Sequence, residues 1–206
     1  MNKPTIYLDF DGVINQITGL RIPRTPTGDE YPIDRVRTAS TPDGKIRIRW
    51  NSMLATRLYG LTDHCDVAWL STWQPFTGEL YRLLDWSPSK VKTVDWYDPD
   101  SMQGIWTGKL NHVRDTIRTG NETGDLQPIV WVDDEECDWN AERRIRELEP
   151  RMKVLMVRPD SRIGLNKRQM DLIERFISDP ASFDGQVTRD VEPSAMQLDP
   201  DSHLGF

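Results

Sequence analysis

Hydrophobic and polar positions alternate between two periods along the chain. Short, nearly continuous apolar runs stand at 4–9 (PTIYLD), 66–71 (DVAWLS), 128–133 (PIVWVD) and 153–157 (KVLMV). Runs of this length predict strands buried on both faces. Between them the spacing turns helical. Asn51 is a natural N-cap for a helix carrying Leu54, Leu58 and Leu61. Leu110, Val113 and Ile117 share one face of a helix over 108–118, and Met170, Ile173, Phe176 and Ile177 point inward from a helix over 166–178. Residues 76–86 predict a short amphipathic helix, 136–148 a charged helix and 91–94 a short edge strand. Residues 14–50 are rich in Pro, Thr, Gly and Arg and predict an irregular β-hairpin or flap. Its turn is PDGK at 42–45, followed by alternating Ile46, Ile48 and Trp50.

Strands alternating with helices predict an α/β fold: a doubly wound, Rossmann-like parallel sheet with helices on both faces. The flap is then an insertion after the first strand. The expected organisation is one domain over 1–178 and a flexible acidic tail over 179–206, where scattered apolar residues show no period. In such sheets ligands bind beyond the carboxyl ends of the strands. That directs attention to Asp9, Ser71 and Asp133, which end three of the runs.

Composition narrows the class. The chain has 206 residues, 37% of them hydrophobic, enough for a core without metal or disulfide staples. No apolar run approaches the roughly 18 residues of a membrane span, so no membrane partner is expected. Two cysteines, Cys65 and Cys137, are too few for a disulfide framework and suggest a reducing cytoplasm. The net charge of −7 argues against a wholly basic nucleic-acid binder. Locally the balance differs. Residues 15–60 hold eight Lys/Arg against four Asp/Glu, a balance of +4, and residues 179–206 hold one Arg against six acids, a balance of −5.

The chemistry-bearing residues lie at the strand ends. Asp9-Phe10-Asp11-Gly12 places two carboxylates on one side of an extended segment, with a glycine for a sharp turn after them. Paired carboxylates repel and usually share a cation or a proton. The Asp-x-Asp-Gly pattern also occurs in calcium loops, which need further oxygen ligands and lie between helices. Ser71-Thr72, ahead of a helix, is placed either to bind a phosphate oxygen or to cap the helix. Asp133, Asp134, Glu135 and Glu136 follow IVWV directly. Acids favour a helix start, but an acid immediately after a buried strand calls for a cation or water beside it. Lys109 opens its helix where an ammonium can neutralise a carboxylate and a phosphate, or simply face solvent.

Taken together and in this order, Asp9 with Asp11, Ser71 or Thr72, Lys109, and Asp133 with Asp134 resemble the four motifs of the haloacid dehalogenase superfamily of phosphohydrolases. The resemblance covers about residues 4–178. Within the superfamily, the LSTW segment and short connections look similar to phosphatase-like domains of bacterial and phage RNA-repair proteins. The resemblance implies a Mg²⁺ cofactor held by Asp9, the carbonyl of Asp11 and Asp134, with Asp133 either a further ligand or a hydrogen-bond acceptor behind the ligands. It implies Asp9 as nucleophile, Asp11 as general acid and base, Lys109 as the charge-neutralising catalytic lysine, and Ser71 with Thr72 as phosphate binders.

The two intervals between motifs leave no room for a large cap, so an open site suited to a phosphorylated nucleotide, a nucleic-acid end or a phosphoprotein is expected. Arg35, Arg37, Arg47 and Arg49, with Arg21 and Arg24, are the flap's candidates for phosphate contact. Trp73, Trp96 and Trp106 are candidates for base stacking or for lid packing. Arg162 is a candidate phosphate contact or a surface residue. Three functions compete: a phosphatase of nucleotide or nucleic-acid termini, a phosphatase of another phosphometabolite or phosphoprotein, and a non-catalytic interaction protein on the same fold. His64, His112 and His203 form no recognisable ligand set.

Overall fold

The structure is a computed structural model. It describes residues 3–17, 28–42, 44–103, 108–148 and 151–194. Six parallel strands form one sheet: β1 (Thr5–Leu8), β4 (Asp66–Trp69), β5 (Val91–Thr93), β6 (Ile129–Val132), β7 (Val154–Arg158) and β8 (Val187–Val191). Their order is β5-β4-β1-β6-β7-β8. Two further strands, β2 (Arg35–Thr41) and β3 (Gly44–Trp50), form a separate antiparallel hairpin. The expected α/β fold with a hairpin insertion after the first strand is the fold observed.

Alternation along the strands makes two cores. On one face Ile6, Leu8, Val67, Trp69, Val130, Val132, Leu155 and Val157 meet α1 (Ser52–Gly60), α2 (Thr77–Leu84) and α5 (Lys167–Ser178). On the other, Tyr7, Ala68, Trp131, Val154 and Met156 meet α3 (Gly108–Thr123) and α4 (Trp139–Arg146). Side-chain caps start three of these helices. Asn51 accepts from the Leu54 N–H, Asp138 from that of Ala141, and Asn166 with Gln169 closes a capping box. Leu61, expected on α1, is buried in the 3₁₀ turn that ends it. The charged helix expected from 136 begins at Trp139, because residues 134–138 form the turn that carries the acids. No helix among the described residues is long and apolar enough to cross a membrane.

The expectation of a loosely draped tail from 179 fails over 179–194. A 3₁₀ turn at Pro180–Ser182 leads to Phe183, whose ring packs edge-on against Phe176 with centroids 5.0 Å apart. The chain then adds β8 to the sheet edge. Only Val187 of β8 is buried, so its sequence shows no apolar period. Its charges are used instead: Arg189 pairs with Glu142 at 2.7 Å and Asp190 with Arg168 at 2.6 Å. Glu192, just beyond, is buried and accepts from the Asn166 side chain at 2.6 Å. Residues 195–206 lie outside the described residues.

From β1 the chain moves through β4 to β5 on one side, then returns to β6 on the other. The crevice between the carboxyl ends of β1 and β6 is therefore the switch point where α/β sheets bind ligands. Asp9 and Asp133 stand there.

Candidate active site

Asp9, Asp133 and Asp134 each offer a carboxylate oxygen, and these oxygens lie within 4.8 Å of one another. Lys109, at the start of α3, reaches under them. Its ammonium pairs with Asp9 and, at 2.6 Å, with Asp133. All three of these side chains are buried. Asp133 turns its second oxygen to the N–H groups of Glu135 and Glu136, at 2.9 and 2.6 Å, and so holds the turn after β6. Asp9 accepts from the N–H of Phe10 at 2.6 Å. The carboxylate of Asp134 has neither ion pair nor hydrogen bond among the described residues.

Backbone geometry lets these groups approach. Gly12 has φ +67°, and a Cβ there would run into the Asp134 carboxylate. Gly108 has φ +69°, and a Cβ there would stand 2.6 Å from Glu136 Oε2. Glu136 is the part of this arrangement the sequence reading missed. Its two oxygens accept from the N–H groups of Lys109 and Leu110, both at 3.2 Å, and fix the first turn of α3. The signal was an acid following the strand-end Asp133 by three residues, without a visible partner.

The electrostatics follow from burial. Burial pushes the Asp134 carboxyl up to about 8, with repulsion from Asp133, Asp9 and Glu135 adding to it. Burial likewise raises Asp9 to about 7, against the opposing pull of Lys109 and with a further push from Asp133. Burial alone would lower the Lys109 ammonium, but Asp133 and Asp9 outweigh it and hold it raised. Three carboxylates and one ammonium thus leave uncompensated negative charge in a water-poor crevice. A hard divalent cation with oxygen ligands would relieve it, and the three carboxylates are a donor set of that kind.

Ser71 and Thr72 follow β4 beside this cluster. Ser71 is buried; its hydroxyl lies against Asp9 and accepts from the Trp73 N–H at 3.3 Å. Thr72 is exposed and lines the same cavity, about 560 Å³, as Asp9, Asp134 and Lys109. Trp96 and Tyr97 brace this loop from behind β5. The Trp96 indole donates to the Ser71 carbonyl at 3.1 Å and the Tyr97 hydroxyl to that of Thr72 at 3.0 Å.

Asp11 does not join the trio. Its Oδ1 accepts from Asn15 Nδ2 at 2.6 Å and its Oδ2 from the Trp73 indole at 2.8 Å, on the rim of the cavity. Trp73 is 5% exposed and packs on Phe10, so of the two expectations for it the packing one holds and base stacking does not; its indole orients Asp11. The flap arginines are also redistributed. Pairing of Arg35 with Trp50 and of Arg37 with Ile48 puts them on one face of the hairpin. Arg47 and Arg49 stand on the other, with Lys45. The four arginines therefore do not make one patch. Arg162, read as a phosphate contact or a surface group, is neither: it is buried and bound to Asp160 at 2.5 Å. Arg21, Arg24, Trp106 and His203 lie outside the described residues.

Comparison with models of protein families, with curated proteins and with solved structures finds no significant match.

Proposed function

We propose that the chain is a Mg²⁺-dependent phosphohydrolase that works through an aspartyl-phosphate, as its resemblance to haloacid dehalogenase-type enzymes suggests. One observation carries the reading. Asp9, Asp133 and Asp134 converge within 4.8 Å above a buried lysine, at the crevice between two central parallel strands.

Asp9, Asp134 and Asp133 would hold the cation, which supplies positive charge against the phosphate and its developing oxyanions. Asp9 would attack phosphorus with the oxygen not engaged by the Phe10 N–H. Lys109 sits between Asp9 and Asp133, where it favours the ionised form of Asp9 against the effect of burial and faces the incoming phosphoryl charge. The Ser71 hydroxyl and the Thr72 N–H would hold phosphoryl oxygens, on a loop fixed by Trp96 and Tyr97. Asp11 would protonate the leaving oxygen and later take a proton from the attacking water. Both of its oxygens accept hydrogen bonds, from Asn15 and from the Trp73 indole, and these aim the carboxyl toward the cavity rim.

A nucleotide or a nucleic-acid terminus is the substrate class favoured here. Lys45, Arg47 and Arg49 follow one another at about 7 Å intervals on one face of β3, a spacing suited to successive phosphates. The test is hydrolysis of p-nitrophenyl phosphate with and without Mg²⁺, in the wild type and in Asp9→Asn. Metal-dependent turnover that vanishes in the variant supports the reading. No turnover on any phosphomonoester would favour a non-catalytic interaction protein, and retained turnover in Asp9→Asn would remove Asp9 as nucleophile.

A further inference from the structure

The catalytic cavity continues past Asp11. A second groove of about 270 Å³ shares Asp11 and Thr72 with it and runs between the hairpin tip and the start of α2. Ile46 and Phe76 form its apolar walls, and Ile46 is 41% exposed despite its side chain. Lys45 also borders the groove, but strand alternation turns its side chain to the face opposite Ile46, with Arg47 and Arg49. The walls are fixed to each other. The Ser40 N–H donates to Glu79 at 2.9 Å, and Arg82 binds both Glu79 at 2.8 Å and the Thr38 carbonyl at 3.3 Å.

We infer that this groove is the leaving-group subsite, built for a leaving group with an apolar or aromatic face. The inference rests on the phosphohydrolase reading. Asp9 forms the new bond to phosphorus while the bond from phosphorus to the leaving oxygen breaks. That oxygen keeps the electron pair and takes its proton from Asp11. The departing group must therefore lie on the Asp11 side, and the groove opens there. Ile46 and Phe76 offer an apolar face in place of water. Water then attacks the aspartyl-phosphate, gives its proton to Asp11, and releases phosphate with Asp9 restored.

Two probes test it: acetyl phosphate, whose leaving group is too small for the groove, and phenyl phosphate. Wild type and Ile46→Ser are compared by kcat/KM in Mg²⁺; the substitution is at an exposed position, where changes cost little stability. Ile46→Ser is expected to lower the phenyl-to-acetyl ratio about threefold to tenfold. The intrinsic reactivities cancel because the ratio is compared with the wild type's own. An unchanged ratio overturns the subsite and leaves the phosphohydrolase standing. A wild type inert on both probes overturns the phosphohydrolase reading, and the subsite with it.

Discussion

Trp73 donates its indole N–H to Asp11 at 2.8 Å while its ring packs edge-on against Phe10, 5.5 Å between centroids. A core aromatic thus sets the direction of a rim carboxylate. Trp73→Phe keeps an aromatic ring against Phe10, removes the donor and leaves a small cavity. The expected result is a stability loss of about 1–3 kcal/mol. Turnover should fall more on an alkyl phosphate than on p-nitrophenyl phosphate, because the poorer leaving group depends more on a well-aimed acid. Equal losses on both substrates would separate Trp73 from the acid step.

The raised carboxyls make the metal-free protein sensitive to pH. Asp134 titrates at about 8 and Asp9 at about 7 in the folded chain, both above the usual carboxyl value near 4 in the unfolded one. Between these values the folded state holds protons that the unfolded state has lost. Stability contributed by the protonated groups is therefore full below about pH 4 and drains away as pH rises to about 8. In EDTA, Asp134→Asn should flatten that fall and raise Tm at pH 8, by about 2–4 °C for each kcal/mol recovered. Mg²⁺ should bind more tightly as pH rises toward 8, since binding displaces those protons. Thermal melts across pH, with and without metal, read both.

Gly12 adopts φ +67° with the Asp134 carboxylate against its Cα. Gly12→Ala adds left-handed strain of about 1–2 kcal/mol and drives its methyl into Asp134. A lower Tm and loss of the Mg²⁺-induced thermal shift are expected, although no ligand has been removed. A normal metal shift in this variant would mean that Asp134 does not need its present position. The same shift should be lost in Asp134→Ala.

The hairpin's two faces predict different roles for its arginines. Arg47→Ser with Arg49→Ser should weaken binding of a phosphorylated oligonucleotide and reduce its log-log salt slope by about 2. Arg35→Ser with Arg37→Ser, on the opposite face, should change the slope by less than half as much. Filter-binding or fluorescence titrations over a salt series distinguish the pairs. Equal effects would mean that the hairpin does not present one face to the ligand.

Ending the chain at Ser178 removes β8, Phe183 and the buried Glu192 that binds Asn166. Val187 and Phe183 are each worth roughly 1.5–3 kcal/mol of burial. The truncated protein is expected to lose several kcal/mol and to expose the edge of β7. Urea melts that match the full chain would return this segment to the status of a tail.

Local periods and end residues made most of the scaffold legible. Apolar runs marked the central strands, Asn51 marked a helix start, and the polar residue closing each run marked Asp9, Ser71 and Asp133 as neighbours across the sheet. These are near-neighbour properties: side-chain period, capping and strand termination depend on residues a few positions apart.

Other features needed the tertiary structure because they depend on groups far apart in sequence. β8 is an edge strand whose charges find Glu142 and Arg168 across the fold, so no local pattern announces it. Asp9 and Asp11 are two residues apart, yet Lys109 draws one inward and Trp73 holds the other at the rim. Hairpin pairing divided the arginines between two faces and brought the hairpin tip to the groove that Asp11 borders. The sequence determined which residue types reach the strand ends. Packing and long-range hydrogen bonds decided which way each points, because a carboxylate's direction is set by the donors around it.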